Sequence, residues 1–172
     1  MDGQRAAALE EGVNFVDVER DWVVGRIYAD FRWRPYDEFS PYNPLRVPLS
    51  RARVAIVTTA GAHLADQEPF DIDTKSGDPS YRAFPSATSL SDIQLTHTGY
   101  DTRRAALDPN VVLPLDHLHA AVQDGRIGEL APNVYSCMGY VADTDPFIQV
   151  SAPEIAARLA DDQVDLVLLA PT

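Results

Sequence analysis

The chain is short of the residues that hold together disulfide-rich or metal-caged proteins. Its 172 residues include one cysteine, Cys137, so no internal disulfide and no multi-cysteine metal cage can form within it, which fits a reducing compartment. It lacks any run near the roughly 18 apolar residues that a membrane-spanning helix needs. Its opening, MDGQRAAALEEG, has neither the basic region nor the apolar core of a secretory signal. The expectation is a cytoplasmic protein without a membrane partner. Positive charge is also scarce: 14 Lys and Arg stand against 26 Asp and Glu, for a formal net charge of -12. The few basic residues are scattered, so phosphate backbones are repelled and a nucleic-acid partner is not expected.

What is present suits one ordinary domain, since 45% of the residues are hydrophobic and a chain of this size buries about 70% of its unfolded surface. Residues 1–50 are expected to form an irregular amino-terminal arm, with Trp22, Tyr28, Phe31, Trp33 and Tyr36 mixed among charges and with Pro35, Pro41, Pro44 and Pro48 forbidding a long helix. A short helix near 19–30 would place Trp22, Ile27 and Phe31 on one face, weakened by Gly25.

Residues 51–172 carry the α/β pattern. ARVAIVTT (52–59) is a nearly continuous, β-branched apolar run, as in a parallel strand buried on both faces, and it ends at Gly61. Residues 62–91 are rich in Asp, Pro, Ser and Gly and predict a long loop. DIQLTH (92–97) alternates like a strand. Leu115, Leu118 and Val122 recur at helical spacing before Gly125. NVYSCMGY predicts another short strand. Ser151 and Glu154 have capping-box spacing, with Pro153 in the first turn and Ile155 and Leu159 on one face. VDLVLLAPT then closes the chain as a second buried parallel strand. The expected fold is a three-layer α/β domain with a mainly parallel sheet, Rossmann- or flavodoxin-like, truncated at its carboxyl end where the ligand site of such a sheet begins.

Several segments carry a family resemblance: RVAIVTTAGAHLADQEPFD (53–71), GDPSYRAFP (77–85), THTGYD (96–101), NVVLPLDHL (110–118), IGELAPNVYSCMGY (127–140) and VDLVLLAPT (164–172). Together they resemble the selenoprotein B family of glycine, sarcosine, betaine and D-proline reductases. The resemblance implies a selenocysteine or cysteine immediately after Thr172. Because the selenocysteine codon is ordinarily read as a stop, the simplest expectation is that this sequence lies upstream of that codon; a natural truncation is the alternative. In the resembling enzymes the selenolate attacks the carbon beside an activated amine, and the selenoether passes to a second selenoprotein. The pyruvoyl group belongs to another subunit, so no cofactor is expected in this chain. The implied partners are other reductase-complex subunits and a small amine substrate, with reductive C–N cleavage coupled to a dithiol/disulfide pair and this chain inactive alone.

Thr58, Thr59 and Gly61 are expected to bind substrate, since they would flank that nucleophile if the first and last strands run parallel, although TTAG also reads as a plain tight strand exit. His63 and Asp66 are expected as catalytic groups, a proton donor with its carboxylate, and Gln67 as a substrate contact; the competing reading has Asp66 satisfying turn amides. His97 is expected as a third catalytic group that meets His63 over the same edge, with Tyr100 binding substrate and Asp101 nearby, although THTGYD also suits a surface turn. His117 and His119 are two apart on a helix and point to nearly opposite sides, so no metal pair is expected. Asp71, Asp73 and Asp78 suggest a calcium loop, but its twelfth position is Arg82 instead of Glu, and no calcium is expected. Cys137 is expected as a buried apolar residue before a resolving thiol. Two rival functions follow from the same residues: a binding or assembly subunit that docks a partner or a second copy through its exposed last strand, and a hydrolase or lyase built on His63, Asp66 and His97.

Overall fold

The computed structural model describes residues 15–26 and 43–172, and the chain divides into two units, Met1–Asn43 and Pro44–Thr172. In the first unit, α1 (Phe15–Arg26) places Arg20 2.8 Å from both Asp17 and Asp21, with the Arg26 guanidinium 5.9 Å from the Trp22 ring centre. Ile27 and Phe31, expected on the Trp22 face, lie outside the described residues.

The second unit is mixed α/β. Its elements are β1 (Arg53–Thr58), β2 (Ala62–Leu64), β3 (Tyr81–Pro85), β4 (Ile93–Leu95), α2 (Thr102–Ala105), α3 (Leu115–Gln123), β5 (Glu129–Leu130), β6 (Asn133–Cys137), α4 (Ala152–Asp161) and β7 (Leu166–Ala170). The main sheet is mostly parallel. β1 is central, paired in parallel with β5 and β6 along one side and with β7 along the other, while β3 runs antiparallel on the outer side of β6.

The apolar run of β1 is buried as its composition requires. Ile56 packs with Phe84, Leu113, Leu115 and Val134, and Val54 packs with Ala121 and Ile127. Val57 joins the cluster of Tyr135, Cys137 and the α4 residue Ile155. Thr58 ends the strand fully buried, and its hydroxyl donates to the Val112 carbonyl at 2.8 Å. A buried hydroxyl left without such a partner costs about 1–3 kcal/mol.

The expected loop over 62–91 contains two strands. β2 pairs antiparallel with β4 as a separate two-stranded sheet, and β3 pairs with β6 from Tyr81↔Cys137 to Pro85↔Asn133. Neither carries a readable period, because β2 has three residues and β3 buries only Phe84 fully. Side chains fix the chain between them. Gln67 accepts from the Leu64 amide at 2.9 Å and donates to the Ala83 carbonyl at 2.8 Å, joining β2 to β3. Arg82 stacks 4.3 Å from the Phe70 ring centre and donates to the carbonyls of Glu68 and Pro69. Asp71 and Asp78 accept from nearby amides and hydroxyls, which holds the Asp71 carboxyl below its ordinary range and, against the opposing effect of burial, does the same for Asp78.

Ser151 does not cap a helix. It has helical dihedrals (φ -65, ψ -44), and its hydroxyl donates to the Pro79 carbonyl at 2.7 Å. A wide π-type turn over Phe147–Ser151 leads into α4, so the amide of Ala152 already has the Phe147 carbonyl as its acceptor. The Glu154 carboxylate accepts from the Tyr81 hydroxyl at 3.1 Å instead of closing a capping box.

β7 pairs with β1 in unbroken parallel register, from Val54↔Leu166 to Thr58↔Ala170. It was expected to be buried on both faces, yet Leu166, Leu168 and Leu169 are 40%, 39% and 68% exposed. The reason is position: among the described residues β1 is its only strand partner, so β7 is an edge. Among the described residues no helix is long and apolar enough to cross a membrane.

Candidate functional site at the carboxyl edge of the sheet

Because β1, β6 and β7 are parallel, their carboxyl ends open on one edge, where open α/β sheets place their ligands. The Thr59 amide donates to the Ala170 carbonyl at 3.1 Å, and the Thr59 hydroxyl accepts from the Thr172 amide at 2.9 Å. The chain leaving β7 is thereby fixed against the chain leaving β1. Gly139, just past β6, closes the third side. A Cβ built on it would stand 2.8 Å from the Thr172 carbonyl oxygen, 3.0 Å from His97 Nε2 and 3.3 Å from the Thr59 carbonyl oxygen.

His97 reaches this edge from the turn after β4. The Gly139 nitrogen lies 3.1 Å from Nε2 and the Gly99 nitrogen 2.7 Å from Nδ1. The His97 ring stands 4.8 Å from that of Tyr100, whose hydroxyl donates to the Ala60 carbonyl at 2.7 Å. Burial pushes the Tyr100 phenol up to about 12, so it is a fixed proton donor at neutral pH. Burial likewise holds His97 below the ordinary imidazole value of 6.5. A group depressed in the fold binds more protons when unfolded, so its contribution to stability is complete above pH 6.5 and is lost as pH falls through the folded value. NMR titration of the His97 ring is expected to give a midpoint below the ordinary imidazole value of 6.5; a midpoint at or above it would contradict the burial argument.

The other histidine of the expected site sits elsewhere. His63 is 1% exposed. Its Nδ1 is 2.9 Å from the Leu64 carbonyl, its Nε2 is 2.9 Å from the Thr96 hydroxyl, and its ring meets Phe70 edge-on at 6.5 Å. Both ring nitrogens are therefore occupied. Asp66 is exposed and lines a shallow cleft with Pro85, Ser89, Asp92 and Gln94, while Gln67 makes the β2–β3 link described above. No hydrogen bond joins His63, Asp66 and His97, and among the described residues no three His, Cys, Asp or Glu side chains are grouped to hold a metal ion. Gly61 has φ 65, donates to the Cys137 carbonyl at 2.9 Å and accepts from the Thr96 amide at 3.0 Å, so it frames the edge from beneath. Asp101 caps α2 through the Arg103 amide. His119 meets the Ser86 carbonyl at 2.8 Å while His117 is exposed.

Cys137 is buried with Tyr135 and Ile155, and burial raises its thiol to about 12. At pH 8 only about one part in 10⁴ is thiolate. Ellman's reagent is expected to leave it unmodified in the folded chain and to react at once in denaturant; rapid reaction of the folded chain would contradict this burial.

Gly139 and Thr172 were not singled out by their sequence. The available signal for Gly139 was a lone glycine two residues beyond the apolar run of β6.

No solved structure matches the chain significantly. Residues 25–172 match the family model described as glycine/sarcosine/betaine reductase selenoprotein B. The D-proline reductase subunit gamma of Acetoanaerobium sticklandii is 34% identical over 74% of this chain and 52% of its own length. The betaine reductase complex component B subunit beta of Peptoclostridium acidaminophilum is 33% identical over 72% of this chain and 29% of its own. The glycine reductase complex component B subunit gamma of Carboxydothermus hydrogenoformans is 34% identical over 77% and 31%. The chain thus spans about half the length of the first of these relatives and about a third of the others. With the family match running through nearly all of the described fold, the chain belongs to the glycine/sarcosine/betaine reductase selenoprotein B family.

Proposed function

We propose that this chain is a component of a cytoplasmic, selenol- or thiol-dependent reductase acting on glycine, betaine, sarcosine, D-proline or a similar small amine. Its fold would be the three-layer, Rossmann- or flavodoxin-like domain, supported by the successive β1 residues Ile56 and Val57, which face opposite ways and meet different clusters. The nucleophile, a selenocysteine or cysteine, would follow Thr172 in the full-length protein. One observation carries this reading: Thr59 holds residue 172 at the carboxyl edge of three parallel strands, with Gly139 set between that residue and His97.

The net reaction cleaves the C–N bond reductively. The amine leaves with the bonding pair, carbon gains hydrogen, and a dithiol supplies two electrons and two protons as it becomes a disulfide. In this scheme Thr59 and Gly139 position the chain that bears the nucleophile, and His97 with Tyr100 lines the substrate side. Thr58, Gly61, His63 and Gln67 form the supporting frame, and Asp66 faces the neighbouring cleft.

The complex purified from its native host is expected to release amine or ammonia from at least one of the four substrates with a dithiol as reductant, and to lose activity on alkylation at neutral pH. Turnover that survives alkylation, or no turnover of any of the four, would overturn the reading.

Other reductase subunits are the proposed partners, and exposed Leu166, Leu168 and Leu169 on the β7 edge support docking there, by a partner subunit or a second copy.

A further inference from the structure

The proposed reaction leaves His63 unused, although its ring is among the most deeply buried polar groups of the fold. Its proton can be placed from its partners. The Leu64 carbonyl, 2.9 Å from Nδ1, can only accept, so Nδ1 carries the proton. In a neutral ring Nε2 is then the acceptor, and the Thr96 hydroxyl 2.9 Å away must donate to it. The pairing follows from strand register. His63 stands opposite Gln94 in the β2–β4 pair, so Thr96, two residues on, lies on the same face at the diagonal position, within reach of a long side chain.

Thr96 is gripped at its backbone as well. Its amide donates to the Gly61 carbonyl at 3.0 Å, and its own carbonyl oxygen comes so close to Gly61 that a Cβ there would stand 2.1 Å away. Held at side chain and amide together, Thr96 has little freedom to turn, and the next residue is His97. The His97 ring then lies with Nε2 3.1 Å from the Gly139 nitrogen and 4.8 Å from the Tyr100 ring. His63 is itself anchored, since Phe70 meets it edge-on at 6.5 Å.

We infer that His63 is a positioning residue, which sets His97 at the carboxyl edge by accepting the hydrogen bond of the Thr96 hydroxyl. Its task is to offer a lone pair at Nε2, and no proton passes from it to substrate. The inference rests on the reading of this edge as the reductase site for its effect on turnover, and on ring geometry alone for its effect on His97. The His97 midpoint reports whether that ring keeps its place. Burial is what lowers it, and the nearest carboxylate in sequence, Asp101, is turned toward the Arg103 amide and guanidinium.

NMR of the full chain with nitrogen-15 labelling, together with turnover by the complex, tests this. The His63 ring is expected as the Nδ1–H tautomer. Thr96→Val keeps the shape of the side chain and removes the donor. It is expected to move the His97 midpoint up toward 6.5 and to lower kcat about tenfold, as displacement of a site group by a fraction of an ångström does. His63→Leu is expected to do the same. His63→Gln, whose side-chain carbonyl accepts from a position close to that of Nε2, is expected to keep both near wild type. A role in packing alone would be preserved better by Leu than by Gln, so the order of these two variants separates positioning from bulk. A His63 proton on Nε2, or an unchanged His97 midpoint in folded Thr96→Val, would overturn the inference; if His63→Leu fails to fold, Thr96→Val carries the test alone. A complex that turns over none of the four substrates, with the NMR pattern as expected, would instead overturn the reductase reading and leave the positioning of His97 standing.

Discussion

Gly61→Ala is expected to destabilise the second unit by about 4 kcal/mol, the sum of two costs. Gly61 has φ 65, and a residue with a side chain in the left-handed region costs roughly 1–2 kcal/mol. Its Cβ would also fall 2.1 Å from the Thr96 carbonyl oxygen and 3.0 Å from the Thr96 carbonyl carbon, and overpacking of this kind costs about 1–3 kcal/mol. The obstacle is backbone, so no rotamer change relieves it. Moving Thr96 would also disturb the hydroxyl that occupies His63 Nε2 and the turn that presents His97. Urea denaturation of the two proteins side by side measures the effect. A loss below about 1 kcal/mol would mean that the chain can leave β1 without this close crossing.

Gly139→Ala is expected to act mainly on activity. Its Cβ would crowd the Thr172 carbonyl, His97 Nε2 and the Thr59 carbonyl, three groups that meet at the proposed site. Gly139 lies at the surface, so a stability loss of no more than about 1 kcal/mol is expected. Displacing a reacting group by about 1 Å costs on the order of 10²-fold in rate. The variant complex should therefore melt close to the wild type while turning over its amine substrate about a hundredfold more slowly. Activity within twofold of wild type would place the chemistry away from this edge.

The parts of the fold legible in the sequence are those where burial writes a long signal. The apolar run 52–59, the helical spacing of Leu115, Leu118 and Val122, and the run 164–169 each specify an element without help from the rest of the chain. The strands inside 62–91 do not. β2 is only three residues long, and β3 reads YRAFP because Arg82 is spent holding the Phe70 loop instead of pointing to water. The exposure of β7 was expected only in the reading that docks a partner there, because the exposure of Leu169 depends on what lies beside the strand and no local pattern separates an edge run from a central one.

The site separates in the same way. His63 and His97 both follow apolar stretches, and nothing in their neighbours distinguishes a ring closed between Leu64 and Thr96 from one set between two glycine amides. Thr59 was legible because parallel pairing of the first and last strands was expected and is observed. Gly139 was not, since its importance comes from how closely Thr172 and His97 approach it.

The central claim is that β7 delivers a selenol or thiol nucleophile to the edge formed by Thr59, Gly139 and His97. Mass spectrometry of the protein from its native host, after brief alkylation at neutral pH, tests this most directly. The account predicts a peptide that continues beyond Thr172 into an alkylated selenocysteine or cysteine; a peptide that ends at Thr172, or continues without either residue, would contradict it.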